Sequence, residues 1–133
     1  MKKFLTPEVD LDTREYWAEL RQHRLRLRHC AQCDKFRFPP LPSCPHCGTI
    51  GGEWRDASGR GALYTWTEIV HPLDPRLKDE VPFTMALVDL EEGPRIGGRL
   101  IGAAAARLRI AMPVVARFDD LDDQLTLVNF QLS

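Results

Sequence analysis

Four cysteines limit this chain more than any other feature: Cys30 with Cys33, then Cys44 with Cys47, two residues inside each pair and ten between the pairs. Two intervening residues let a tight turn aim both sulfurs at one ion, and a second such turn completes a tetrahedron with bonds of about 2.3 Å. Four thiolates suit zinc or iron. They also fill every coordination position, so no metal-bound water is left for chemistry and the ion is expected to be structural. Disulfides are the competing use, but they belong to oxidising compartments. The opening MKKFLTPEVDLD holds two lysines and no apolar run of secretory length. No stretch approaches the roughly 18–20 apolar residues of a membrane span. A cytoplasmic protein with reduced, metal-binding cysteines is the expectation. A thioredoxin-type pair would need one C-x2-C inside a βαβ pattern, and no such pattern surrounds these. Iron stays open, because Cys44-Pro45-His46-Cys47-Gly48 also resembles a rubredoxin knuckle. His29 and His46 lie beside ligands and could substitute for one, though the simpler reading is surface histidine.

The remaining elements follow from periodicity. Residues 1–12 read as a loose arm; Asp12 and Glu15 form a capping-box pattern for a helix through Tyr16, Trp17 and Leu20 to about His23. Leu25 and Leu27 alternate with Arg24, Arg26 and Arg28, the period of a strand with one dry face. Pro39, Pro40, Pro42 and Pro45 exclude long elements from the metal knob. After it come strands at Ala62 to His71, Phe83 to Leu90, Arg95 to Ile101, Pro113 to Phe118 and Leu125 to Phe130. Gly59-Arg60-Gly61 permits a bulge or sharp turn into the first. A short helical turn over Ala103 to Ala106 separates the third from the fourth. Five short strands with that insert suit a small closed barrel of the OB type. The predicted architecture is mainly β: an arm and helix over 1–23, a zinc ribbon over 24–52 and an OB-fold domain over 53–133. A chain of 133 residues leaves the smaller module too little surface to bury without a staple, which the cysteines supply.

Charge excludes little in bulk, with 18 basic and 19 acidic residues. Locally, residues 21–37 carry Arg21, Arg24, Arg26, Arg28, Lys35 and Arg37 against Asp34 alone, and residues 113–133 carry Arg117 against Asp119, Asp120, Asp122 and Asp123. Such patches steer an anionic ligand or partner, or simply decorate a solvated surface.

Nearly the whole chain resembles the family catalogued as domain of unknown function 35, a rubredoxin-like zinc ribbon followed by an OB-fold. The resemblance runs in order through Tyr16-Trp17, Cys30 to Cys47 with Phe38-Pro39-Pro40 between the pairs, Trp54 and Ser58-Gly59-Arg60-Gly61. It continues through Tyr64-Thr65-Trp66-Thr67, Phe83 to Leu90, Glu92-Gly93-Pro94 and Met112-Pro113-Val114. It implies a subunit that forms a hetero-oligomer with thiolase-superfamily enzymes (thiolases, acyltransferases, aldolases) or with hydratases acting on acyl-CoA. Such a subunit holds the acyl-CoA or braces its enzyme, and the partner does the chemistry. Two positions depart from the family pattern: Ala111 stands where glycine is usual, and Gly97-Gly98-Arg99 replaces a more asparagine-rich stretch. For an acyl-CoA ligand, arginine forks suit phosphate and aromatics suit the ring. Arg24, Arg26, Arg28, Arg37 and Arg60, with Tyr64, Trp66 and Phe83, are the candidates, each also readable as surface or core.

The chain itself reads as non-enzymatic. His71 and Asp74 lie in a proline-bounded loop with no nucleophile beside them, and no serine sits in a nucleophile elbow. The aspartates at 119–123 read as a solvated turn rather than a calcium loop. Two other functions compete. A single-stranded nucleic-acid binder would need a basic groove with stacking aromatics, which near-neutral charge disfavours. An iron-site electron carrier would have no use for the attached barrel.

Overall fold

The computed structural model describes residues 6–133, so the first five residues of the expected arm lie outside the described residues. Helix α1 (Arg14–Leu20) precedes eight strands: β1 (Arg26–Cys30), β2 (Lys35–Arg37), β3 (Glu53–Asp56), β4 (Arg60–Ile69), β5 (Phe83–Leu90), β6 (Arg95–Leu100), β7 (Pro113–Asp120) and β8 (Thr126–Leu132). The first three strands make an antiparallel sheet ordered β2-β1-β3, and the other five a closed barrel ordered β4-β5-β6-β8-β7. The predicted five-stranded barrel and the ribbon are therefore both present. Strand β3 pairs with β1 and belongs to the ribbon's sheet, although it falls beyond residue 52 in sequence.

The helix is shorter than its pattern suggested, and it starts differently. Thr13 rather than Asp12 is the N-cap, and its side chain makes no capping bond to the helix. The reciprocal bonds lie one turn earlier: the Asp10 carboxylate accepts from the amides of Asp12 and Thr13, and Thr13 Oγ1 accepts from the Asp10 amide. An aspartate three residues before a threonine competes with the pattern read at Asp12 and Glu15, because either carboxylate can serve a nearby free N–H. The chain leaves the helix at Arg21 and turns at His23, whose φ is 57°. The buried Tyr16 and Leu20 dock the helix on the barrel.

Packing unites the modules. Leu25, just before β1, and Leu27, on its dry side, join Tyr16 and Leu20 in one cluster with Leu63, Val88, Val114 and Phe130 of the barrel. Each such side chain removed from water is worth about 1.5–3 kcal/mol. The ribbon's first strand is thus anchored in the barrel core and does not swing on a linker.

Barrel closure depends on Gly98. Strands β6 and β8 run parallel and share a single registered pair, Leu100 with Phe130. A Cβ on Gly98 would lie 2.8 Å from the Val128 carbonyl and 3.2 Å from the Phe130 ring. The missing side chain at Gly98 therefore lets two backbones approach closely at this seam.

Ala111 shows the opposite situation, a side chain on a left-handed backbone. Its φ is 71°, a left-handed conformation that costs an L-residue roughly 1–2 kcal/mol. Its amide donates to the Leu63 carbonyl at 2.7 Å, which fixes the turn in place. Ala111→Gly removes the strain but adds about 0.5–1 kcal/mol of unfolded-state entropy. The expected outcome is a net gain of about 0.5–1 kcal/mol in urea unfolding; a loss of stability would mean that the turn tolerates alanine without strain.

Candidate metal centre and ligand surfaces

The four cysteine sulfurs all lie within 4.8 Å of one another. Cys30 Sγ is 3.6 Å from Cys47 Sγ, and Cys33 Sγ is 3.6 Å from Cys44 Sγ. Disulfide sulfurs would stand about 2.05 Å apart. Sulfurs surrounding one tetrahedral ion at about 2.3 Å stand about 3.8 Å apart. The geometry fits an ion and not two disulfides.

Each pair sits on a knuckle built the same way. The Asp34 amide donates to the Cys30 carbonyl, and the Gly48 amide to the Cys44 carbonyl, both at 2.8 Å. Asp34 (φ 58°) and Gly48 (φ 81°), one residue past the second cysteine of each pair, both turn left-handed. Aspartate and glycine are among the residues that tolerate this conformation best. The second knuckle also stabilises thiolate. The Thr49 hydroxyl lies 3.2 Å from Cys47 Sγ and, with the Thr49 amide, draws that thiol down to about 6. Burial opposes ionisation of Cys44, yet the amides of His46 and Cys47 outweigh it and lower this thiol as well. Burial, then hydrogen bonds among the neighbouring sulfurs, push Cys33 up to about 12.

A pH dependence follows. Near neutrality Cys33 holds its proton until an ion displaces it, whereas Cys47 is already largely ionised. Metal binding must therefore release at least one proton, and acid opposes it. The apparent dissociation constant, measured by chelator competition, is expected to weaken at least tenfold for each unit of pH lowered between 8 and 6. A flat profile would show that the thiols are not the ligands.

His29 corrects its expected surface position: only 3% of it is exposed. Its Nε2 meets Asp34 Oδ1 at 2.8 Å, and its ring packs edge-on against Phe36 at 4.8 Å. The imidazole thus braces the first knuckle. Its place in the inward alternation of β1, two residues after Leu27, was the available signal. His46 is exposed, as expected.

The arginines proposed for an anionic ligand are mostly engaged. Arg24 and Arg26 both reach Asp56, at 3.3 and 3.0 Å. Arg28 donates to the Gly52 carbonyl and lies over the Trp54 ring. Arg37 is 2% exposed and donates to the carbonyls of Leu41 (2.8 Å) and Gly51 (2.6 Å). Register places Arg26 and Arg28 on one face of the ribbon's sheet, with Arg37 directly across from Arg28. Arg60, on the barrel, pairs with Glu91. The three aromatics do not form one slot. Trp66 is registered with the inward Ala86 and packs on the core, Tyr64 is a bulged residue beneath Arg95, and Phe83 lies beneath Arg99.

A cleft of about 540 Å³ lies elsewhere, between the ribbon and the β5–β6 turn. Phe36, Phe38, Leu41 and Pro45 give it apolar walls, and the exposed Lys35 and His46 add positive or titratable groups. This cleft was not foreseen from the sequence; its opposite wall, Glu92-Gly93-Pro94, is brought in by the barrel's turn. Among the described residues, no helix is long and apolar enough to cross a membrane.

Comparison with known proteins adds to this geometry. Residues 17–49 match the description "ChsH2, rubredoxin-like zinc ribbon domain", and residues 54–119 match "ChsH2, C-terminal OB-fold domain". The chain is 37% identical over 125 residues to a probable enoyl-CoA hydratase alpha subunit of Thermomonospora curvata, covering 94% of this chain and 39% of that protein. It is 35% identical to the 3-oxo-4,17-pregnadiene-20-carboxyl-CoA hydratase alpha subunit of Mycobacterium tuberculosis, covering 90% and 37%. The chain thus spans under two fifths of the length of these two curated relatives. A DUF35 domain-containing scaffold protein of Methanocaldococcus jannaschii is 32% identical over 99 residues, with 71% of this chain and 70% of that protein covered. Among solved structures, a chain of the Ltp2-ChsH2(DUF35) aldolase superposes with a TM-score of 0.85 at 35% identity, covering 96% of this chain and 98% of that one.

Proposed function

From the premise that this chain is a member of the ChsH2-type, DUF35 family of zinc-ribbon and OB-fold proteins, we propose that it is a non-catalytic accessory subunit of an enzyme acting on acyl-CoA. The observation that carries the reading is the close superposition, over almost the full length of both chains, on a chain of the Ltp2-ChsH2(DUF35) aldolase. The relatives named as hydratase alpha subunits support the same class of partner. Chemistry on the chain agrees. Four sulfurs would saturate one ion, zinc in this reading, and leave it no open coordination position for substrate. The ion would shape the second knuckle.

An acyl-CoA held at the assembly would find its ring slot in the cleft lined by Phe36 and Phe38, with Lys35 and His46 on the cleft's wall for its phosphates and the carboxylates of Asp34 and Glu92 opposing them. The ribbon arginines, which already hold protein partners, contribute field more than direct bonds.

The test is co-expression with thiolase-fold and hydratase-fold enzymes from the same genome. One of them is expected to co-elute with this chain and to lose at least tenfold in activity without it, while the chain alone turns over no thioester. A chain that stays monomeric beside every candidate, or that hydrates or cleaves an acyl-CoA unaided, would overturn the reading.

A further inference from the structure

Strand β4 is paired along its whole length on one side only. Toward β5 its ladder runs from Gly61 to Ile69. Toward β7 it stops at Ala62, and beyond that only Leu63 is bonded, to Met112 and Ala111. The register identifies which groups are left over. Leu63 bonds away from β5, so its pair with Val88 is a non-hydrogen-bonded one, and antiparallel pairs alternate. After the one-residue bulge, Thr65, Thr67 and Ile69 bond toward β5. The N–H and C=O groups of Trp66 and Glu68 face away. Among the described residues none of these four groups has a hydrogen-bond partner.

The surroundings of this open edge are apolar at both ends. Ile110 (74% exposed) and Tyr64 (43%) stand at the Leu63 end, and Val70 (67%) and Leu73 (93%) at the other. Arg107 and Arg109, both exposed, precede the turn that meets Leu63, and neither side chain has an ion pair among the described residues. An unpaired edge is a template for another strand.

We propose that the open half of β4 receives an extended segment of the partner enzyme, antiparallel or parallel to Trp66–Glu68, with apolar and acidic side chains in alternation. This rests on the accessory-subunit reading for the identity of the partner, but not for the existence of the edge. Five residues from Thr65 to Ile69 span about 16 Å, enough for a segment of about four to six residues. Its acidic side chains answer Arg107 and Arg109, and its apolar ones meet the exposed residues at the ends. A second copy of this chain fits less well, because its own β4 brings Arg60 and a single acid, Glu68, to the two unpaired arginines.

The experiment titrates a capped octapeptide of alternating valine and glutamate into the full chain, read by amide chemical shifts and hydrogen exchange. Saturable shifts at the Trp66 and Glu68 amides are expected, with exchange slowed at least tenfold at saturation. Glu68→Ala keeps the N–H and should bind as the wild type does. Glu68→Pro removes one outward donor without touching the ladder to β5, and should bind more than tenfold more weakly; Thr65 and Thr67 amides report that the ladder survives. Should that variant misfold, the pair Arg107→Glu with Arg109→Glu is expected to weaken binding to the same extent. Unchanged Trp66 and Glu68 amides in the wild type overturn the proposal. So does a valine–lysine peptide that binds equally well, or self-association that protects the same amides. If an enzyme co-elutes yet leaves both amides exchanging freely, the edge assignment fails while the accessory-subunit reading stands. If the peptide binds but no enzyme co-elutes, the edge assignment stands and the accessory-subunit reading fails.

Discussion

Cys44→Ala is expected to release the metal and unfold residues 31–52 while the barrel stays intact. Cys44 is 2% exposed, and its sulfur lies 3.6 Å from Cys33 Sγ, so the variant loses one of four ligands at the buried side of the site. Apparent zinc binding energies in small modules are about 10–16 kcal/mol at neutral pH and are coupled to folding. Apart from the Arg37 hydrogen bonds and the short β2 ladder, little else holds this stretch: between Cys30 and Glu53 the buried residues are Arg37, Pro40 and Cys44. The unfolding should nonetheless stop at β1, because Leu25 and Leu27 share a core with Val88 and Phe130. Metal content should fall from one ion per chain to about zero. Hydrogen exchange should lose protection in 31–52 and retain it in β4 to β8. A variant that kept both its metal and its protection pattern would contradict the site assignment.

How far the fold could be read in advance divides along physical lines. The clustering of the four cysteines was legible because C-x2-C spacing leaves a tight turn few alternatives. Strands β4 to β8 were legible because their sides alternate: Thr84, Ala86, Val88 and Leu90 point inward, and Met85, Leu87 and Asp89 outward. What could not be read were pairings between distant segments. Nothing in Glu53–Asp56 says that it completes the ribbon's sheet, since that depends on which edge of β1 is free. The same holds for the open edge of β4, created by the course of residues 107–112 and not by the composition of β4. Side-chain identity misled in one further way. Trp66 and Tyr64 lie close in sequence, but the bulge between Leu63 and Thr65 shifts the alternation and sends them to different surroundings. For the arginines the residue type suggested phosphate, whereas local carboxylates and carbonyls already engage most of them.

Arg37→Ala is expected to cost about 3–5 kcal/mol and to loosen the metal. A buried guanidinium normally pairs with a carboxylate, and here none lies within ion-pair distance among the described residues. Its partners are the carbonyls of Leu41 and Gly51, which stand at the two ends of the loop carrying Cys44 and Cys47. Charged donors make hydrogen bonds worth about 1.5–3 kcal/mol each, and removing the donor leaves two carbonyls without that partner. The side chain therefore acts as a cross-brace for the second knuckle, at a place where proline-rich sequence supplies no helix or sheet to do so. Its charge would have a further use if the ion is divalent, because four thiolates would then leave two negative charges on the same module as this buried cation. Arg37→Lys keeps the charge but offers a single ammonium where a fork spans two carbonyls, so it should recover only part of the loss. The measurements are urea unfolding and the rate of metal transfer to a chelator. Alanine should speed that transfer at least tenfold, and lysine less. If alanine left both quantities at wild-type values, the loop would be held by the metal alone, and the guanidinium would be a passenger in the core.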